Sequence, residues 1–287
     1  MSESNVSRTQ NAPRSTSAPL LSVEDISVRF AGVQALADVS FRVQPGELFA
    51  VIGPNGAGKT SLFNVISRVY QPVKGRVTYD GRDLLRLKTH QVARTGIART
   101  FQNLGQFPTM SVMDYLLLGR HTRMRSGIFL GGIYLGLTRN EEKRNRAYCL
   151  HLLDLMGLQR LQNHPLGSLP YGLQKRADIA RALALQPKLL LLDEPVAGMG
   201  FEESEDIAAV ILDIKEQLGV TQILVEHDMA LVMGIADHVL VLDFGRVIAQ
   251  GIPAEVQANP DVIKAYLGEE FGGGVAAIPI SSEENSA

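Results

Sequence analysis

Two periods of apolar repetition alternate along the chain, and they set the elements to expect. Apolar side chains recur at Val23, Ile26, Val28 and Phe30, which reads as a strand. Val39, Phe41 and Val43 alternate with Ser40, Arg42 and Gln44, the period-two signature of a half-buried antiparallel strand. Residues 47–52 (ELFAVI) are almost continuously apolar, which suits a strand covered on both faces. Gly53 ends that strand, and a helical pattern runs from Gly58 to about Val69. The middle, from about Lys88 to Gln162, reads mostly as helix. Three more apolar strands are expected at 188–192 (KLLLL), 221–225 (TQILV) and 238–242 (HVLVL), separated by helices near 202–218 and 228–236. Strands and helices in alternation predict an α/β architecture.

The ends differ from this core. Residues 1–19 are rich in Ser, Asn, Pro and Thr and are expected to be a disordered tail. Residues 269–287 turn Gly-rich and then polar, and are expected to be flexible, leaving 20–268 as the folded part. An apolar fraction of 45% excludes intrinsic disorder of the whole chain. A net charge of −2 gives no reason to expect nucleic acid as a partner. One cysteine, Cys149, excludes a disulfide scaffold and points to a reducing compartment; the residue reads as a small buried hydrophobe. The longest apolar runs, 128–137 and 271–280, are about half the roughly 20 residues a membrane helix needs. The N-terminus lacks the apolar core of a signal peptide. The expectation is a cytosolic protein, seated against a membrane only through a partner. Arg120, Arg123 and Arg125 stand beside Ile128, Phe129 and Leu130, either as a membrane- or permease-facing patch or as a solvated helix end. Pro72, Pro253 and Pro260 mark loops and helix starts.

Three places carry candidate chemistry. Gly53, Pro54, Asn55, Gly56, Ala57, Gly58, Lys59 and Thr60 match G-x-x-x-x-G-K-[ST] between a buried strand and a helix. Glycines let successive backbone N–H groups approach phosphate oxygens, and the helix start adds unpaired N–H groups and partial positive charge. Lys59 adds a full charge near the β- and γ-phosphates, Thr60 offers a hydroxyl to Mg²⁺, and Ser61 reaches the α-phosphate. Asp193 and Glu194 follow the apolar run 189–192, at the edge where open α/β sheets bind ligands. Asp193 can hold Mg²⁺, and Glu194 can orient or deprotonate a water. His227 ends the strand expected beside them, where an imidazole can reach a γ-phosphate; the other five histidines have no such setting.

These residues resemble the ABC ATPase family, specifically a transporter nucleotide-binding subunit, over about residues 20–268. The order of motifs carries the resemblance: the loop 53–60; Arg99-Thr100-Phe101-Gln102; Leu169-Pro170-Tyr171-Gly172-Leu173-Gln174; Asp193-Glu194; and His227. The resemblance implies a RecA-like P-loop ATPase core with an N-terminal antiparallel β subdomain and a helical subdomain at about 88–185. It implies Gln102, with Thr60 and Asp193, as a Mg²⁺ ligand and Gln102 also as a water ligand; Glu194 as base; and His227 as switch histidine. Tyr171 and Gly172 would present the signature to the nucleotide of a second subunit. It also implies Phe30 stacked on adenine; a core position is the competing reading of that residue. The cofactors implied are ATP and Mg²⁺.

Finer features are similar to the ATP-binding subunits of branched-chain (hydrophobic) amino-acid importers: 225–229 (VEHDM), 194–199 (EPVAGM), 96–102 (GIARTFQ) and the insert at about 119–145. That implies separate membrane permease subunits, a second ATP-binding subunit (a paralogue or an identical copy), and indirectly a periplasmic or extracellular binding protein. The place implied is the cytoplasmic face of the cell membrane. Importers of urea or short amides share much of this pattern. A soluble ABC ATPase or a nucleotide-dependent switch is a reading of another class. Two departures from the family pattern stand out: Pro170 and Leu173 replace the Ser and Gln of the usual signature, and Gly200 stands where an Asp is usual.

Overall fold

The strand at 48–52 forms as expected and becomes the centre of the molecule. The computed structural model describes residues 18–101, 107–120 and 135–272, without the side chains of 135–140 and 267–272. The first 17 residues and those after 272 lie outside the described part, so only Ala18 and Pro19 of the expected N-terminal tail are described.

Two sheets organise the chain. The first is antiparallel and contains β1 (Leu21–Phe30), β2 (Val33–Val43), β4 (Lys74–Tyr79) and β5 (Arg82–Asp83) in the order β2-β1-β4-β5. The period-two pattern is realised in β2: Val39, Phe41 and Val43 are buried while Ser40 and Arg42 are exposed. The second has six strands in the order β10-β9-β3-β8-β7-β6, formed by β3 (Leu48–Ile52), β6 (Ile97–Arg99), β7 (Leu189–Asp193), β8 (Thr221–Val225), β9 (His238–Asp243) and β10 (Arg246–Gly251). Neighbours from β9 to β6 run parallel, and β10 closes the edge antiparallel. Every residue of β3, β7 and β8 is buried, which explains why these strands read as apolar runs rather than alternations.

The six-stranded sheet separates two cores. Phe49, Val51, Leu189, Leu191, Ile223 and Val225 point to one side, where they meet the antiparallel sheet and α1 (Lys59–Ile66). Leu48, Ala50, Ile52, Leu190, Leu192 and Leu224 point to the other. There they meet a helical layer that includes α3 (Val112–Arg120), α4 (Leu135–Leu155), α5 (Tyr171–Ala184), α6 (Phe201–Leu218) and α7 (Met229–Ile235). Each fully buried Leu, Ile or Val contributes roughly 1.5–3 kcal/mol, so this central sheet is the rigid frame for whatever its edges carry. Short α2 (Thr89–Val92) precedes β6, and α8 (Pro253–Gln257) and α9 (Pro260–Gly272) are the last elements among the described residues, each starting at a proline as the sequence suggested.

Within 88–162, the stretch read mostly as helix, the structure adds a strand, because β6 pairs with β7 in the main sheet. Three residues, Ile97 to Arg99, are too few to show a strand period by themselves. Another difference concerns Arg120, which is not offered to a membrane surface. Its guanidinium donates to Asn145 Oδ1 at 2.6 and 3.0 Å and to the Ala184 carbonyl at 3.1 Å, and lies over Tyr148. Arg123, Arg125 and the apolar residues beside them fall outside the described residues. Cys149 is buried in the helical core, as read, and burial pushes its thiol up to about 11.

Candidate active site

β3, β7 and β8 bring the candidate residues to one edge. β8 pairs with both neighbours in register, so Val225 stands level with Val51 on one side and with Asp193 on the other. Gly53 is therefore two residues past that level on β3, Glu194 one residue past it on β7, and His227 two past it on β8. All leave the sheet at the carboxyl ends of parallel strands, the edge where α/β sheets bind ligands.

The loop 53–60 is built around three glycines with positive φ: 145° at Gly53, 79° at Gly56 and 104° at Gly58. At two of them space is closed as well. A Cβ on Gly53 would lie 2.0 Å from the Leu242 carbonyl oxygen, and one on Gly58 2.7 Å from the Ala35 carbonyl oxygen. Only glycine satisfies both conditions. Gly53, Pro54 and Ala57 are buried, whereas Asn55, Gly56 and Thr60 are exposed, so the loop turns one side outward. α1 opens on Gly58 without a side-chain cap and with no acidic residue in its first turn. Its first-turn N–H groups lack intrahelical acceptors and favour an anion. Lys59 is buried, and its ammonium donates to the Gly53 and Pro54 carbonyls at 2.5 and 2.9 Å, folded across the loop's mouth. Ser61, on the same first turn, is half-buried.

On β7, Asp193 is 1% exposed. Its Oδ2 accepts from Arg99 Nη2 at 2.6 Å, and its Oδ1 is buried without a hydrogen-bond partner among the described residues. Glu194 has a φ of 47°, which is strained for a residue with a Cβ. Its N–H still donates to the Val225 carbonyl at 2.9 Å, and Lys175 donates to its carbonyl at 3.3 Å, so the strained turn is held from both sides. On β8, Glu226 is fully buried and accepts from the Val196 and His227 N–H groups, both at 3.0 Å. Burial pushes the Glu226 carboxyl above the usual range, the two N–H groups pull it back, and the charge of Glu194 pushes it up again. The His227 ring is largely exposed, 3.6 Å from Glu226. Asp228 then caps α7 by accepting from the Leu231 N–H, which fixes where the His227 loop ends.

A family profile described as ABC transporter matches residues 36–197, more than half of the chain. The chain belongs to the ABC transporter family. It is accordingly an ATPase of the transport-coupled kind, and its parallel core carrying Gly53 to Thr60 is the P-loop ATPase core of that family. A second profile, described as branched-chain amino acid ATP-binding cassette transporter, matches residues 246–272. Among curated relatives, a high-affinity branched-chain amino acid transport ATP-binding protein of Pseudomonas aeruginosa, BraF, is 40% identical over 253 residues, covering 88% of this chain and 99% of its own. The LivG protein of Escherichia coli, of the same description, is 38% identical over the same span. A crystal structure of MJ1267, an ATP-binding cassette of an ABC transporter in its ADP conformation, superposes with a TM-score of 0.77 at 30% identity, over 88% of this chain and all of that one.

The remaining residues implied by the ABC resemblance fall on other parts of the fold. Phe30 ends β1, is 42% exposed and packs edge-on against Tyr70 at 4.8 Å. It is a surface aromatic rather than a core one, and its hairpin continues into Ala35 and Leu36, which touch Gly58. Tyr171 and Gly172 open α5, whose N-cap is Pro170 in extended conformation with no side-chain cap. Tyr171 is exposed, and Gly172 packs on Glu203 of α6. Gly200, where the family usually has Asp, is the N-cap of α6; it supplies no side-chain cap, and Glu202 and Glu203 in the first turn face the helix's positive end instead. Gln102 lies outside the described residues.

Sequence reading missed two partners here. Arg99 holds Asp193 and Tyr70 flanks Phe30, and both contacts join residues far apart in the chain. The fit to Mg²⁺ rests on the donor set: the Asp193 carboxylate, with an orphaned buried oxygen, and the Thr60 hydroxyl are hard oxygen ligands of the kind Mg²⁺ takes. Among the described residues no group of three His, Cys, Asp or Glu could hold an ion.

Proposed function

We propose that this chain is the ATP-binding and ATP-hydrolysing subunit that powers import of branched-chain or related amino acids through separate membrane permease subunits. The observation that carries this reading is the convergence of the Gly53–Thr60 cradle, Asp193–Glu194 and His227 at the carboxyl ends of adjacent parallel strands in one sheet. The transported class rests on the named relatives and on the profile at 246–272, which favours branched-chain amino acids over urea or short amides.

In this reading Lys59 exchanges its two loop carbonyls for phosphate oxygens, and the uncapped start of α1 faces the same anion. Thr60, Asp193 and Gln102 would hold Mg²⁺, which would supply charge neutralisation at the phosphates. Glu194 takes a proton from the attacking water, and His227 holds that water and the terminal phosphate in line. Phe30 receives the adenine ring. Tyr171 and Gly172 complete the site of an opposite subunit, a paralogue or a second copy, through the uncapped N–H groups of α5. Two exposed aromatics, Tyr171 and Phe201, lie at the starts of the packed helices α5 and α6 and suit such a partner.

An open groove of about 560 Å³ between β6 and the helical layer, lined by Val92, Ile97, Phe101, Leu118 and Leu185, suits a permease segment. No helix among the described residues is long and apolar enough to cross a membrane. The chain would act at the cytoplasmic face of the cell membrane, with an external binding protein contributing only through the permease. Glu194→Gln tests the mechanism. It should keep ATP affinity, lose about 100-fold or more in turnover, and accumulate nucleotide-bound dimers in light scattering. Full turnover by this variant would remove Glu194 from the role of base.

A further inference from the structure

Arg99 joins two parts of the candidate site through hydrogen bonds to Asp193, Asn64 and Ser67. From β6 its Nη2 donates to Asp193 Oδ2 at 2.6 Å, and its Nη1 donates to Asn64 Oδ1 at 2.8 Å and to Ser67 Oγ at 3.4 Å. The guanidinium also lies 5.6 Å from the centre of the Phe63 ring. Phe63 and Asn64 belong to α1, the helix whose start forms the phosphate cradle. Asp193 belongs to β7, two strands away from β3 in the sheet. One planar group therefore spans the cradle helix and the carboxylate assigned to the metal.

The two halves of Asp193 are treated differently. Oδ2 is committed to the guanidinium, while Oδ1 is buried with no hydrogen-bond partner among the described residues. A buried orphan acceptor is costly unless something fills its place. The guanidinium is held from α1 by Asn64 while it bonds Oδ2, which leaves Oδ1 as the carboxylate oxygen not committed to Arg99. Lysine could not do this, because an ammonium is a point charge on a flexible stem and lacks the rigid fork.

We propose that Arg99 is a positioning residue for the metal site: a strut from α1 to Asp193 that sets the carboxylate so that its second oxygen is presented to Mg²⁺. The proposal rests on the reading of Asp193 as a metal ligand given under Proposed function. Arg99 itself touches neither metal nor phosphate in this scheme. Its loss should raise the Mg²⁺ requirement without emptying the cradle.

The test is equilibrium binding of a fluorescent ATP analogue (N-methylanthraniloyl-ATP) to the full chain, first in EDTA and then across a Mg²⁺ titration. Parent, Arg99→Gln, Arg99→Lys and Asn64→Ala are compared. The Mg²⁺-free affinity should stay within about twofold in all four. The half-saturating Mg²⁺ concentration should rise about tenfold in Arg99→Gln, and less in Arg99→Lys and Asn64→Ala. Should Arg99→Gln fail to fold, the smaller rise, still above about twofold, in the other two variants decides. A residue that only stabilises the fold would lower the unfolding temperature and leave the Mg²⁺ requirement where it was. A Mg²⁺ midpoint within about twofold of the parent in every folded variant overturns the proposal. Failure of the parent to bind the analogue at all is a different result, since it overturns the nucleotide site itself.

Discussion

Gly53 shows how much one residue of this chain is asked to do. It must leave a buried strand with a φ of 145°, and it does so with the Leu242 carbonyl where a side chain would be. Gly56 has a φ of 79° and open space around it. The two glycines therefore separate backbone strain from steric exclusion. Gly56→Ala should cost about 1–2 kcal/mol, the strain of a left-handed residue alone. Gly53→Ala adds the displacement of a backbone carbonyl, and should cost about 3 kcal/mol or more. Chemical denaturation of the two variants measures both costs, and equal costs would contradict the assignment. The loop was legible in the sequence because its geometry is local: glycines, lysine and threonine at fixed spacing after a buried strand. Arg99 was not legible, because its meaning comes from β6 lying beside β7, a pairing of residues more than ninety positions apart in sequence. Phe30 was ambiguous for the same reason, since Tyr70 reaches it from beyond α1.

Elements follow the same division. Strands β3, β7 and β8 announced themselves as apolar runs because both faces are covered, and β2 as an alternation because one face is wet. Strand order was read only for β8 beside β7; that β6 belongs to the core was not. Helix α5 is fixed by a buried polar cluster that no periodicity shows. Asp178 Oδ1 accepts from Tyr115 Oη and Arg181 Nε, both at 2.8 Å; its Oδ2 accepts from the Phe101 N–H at 2.6 Å. Arg181 also donates to the Arg99 carbonyl at 2.9 Å and lies 3.7 Å from the centre of the Phe101 ring. Burial raises the Tyr115 hydroxyl well above its ordinary range, so it stays a donor. This cluster ties the helix that presents Tyr171 and Gly172 to the segment that leads into Gln102. Asp178→Ala leaves the Arg181 charge buried and unpaired, and should cost about 3–5 kcal/mol. Asp206→Ala breaks a bridge to Arg176 of similar length but with an exposed carboxylate, and should cost less than about 1 kcal/mol. Thermal unfolding of the pair checks the contrast, and a mild effect at Asp178 would mean that the cluster is not what holds α5.

At the scale of the whole molecule, the six-stranded sheet divides the work. One face carries the antiparallel sheet and α1, which form the cradle and its overhanging Phe30 hairpin. The other carries the helical layer, whose α5 and α6 turn their starts outward. In the mechanism proposed, each chain contributes half of two sites, and a partner subunit belongs to it for that reason. Everything in that mechanism depends on the turn at the end of β3 accepting a nucleotide's phosphates. The direct measurement is a titration of the chain with a fluorescent ATP analogue in Mg²⁺, beside its Lys59→Ala variant. Lys59 is buried and already bonded to loop carbonyls, so its loss should remove a charge-assisted contact and lower affinity about tenfold to a hundredfold. Saturable binding by the parent with that loss in the variant is the predicted result; equal affinity in both, or none in the parent, would contradict the account.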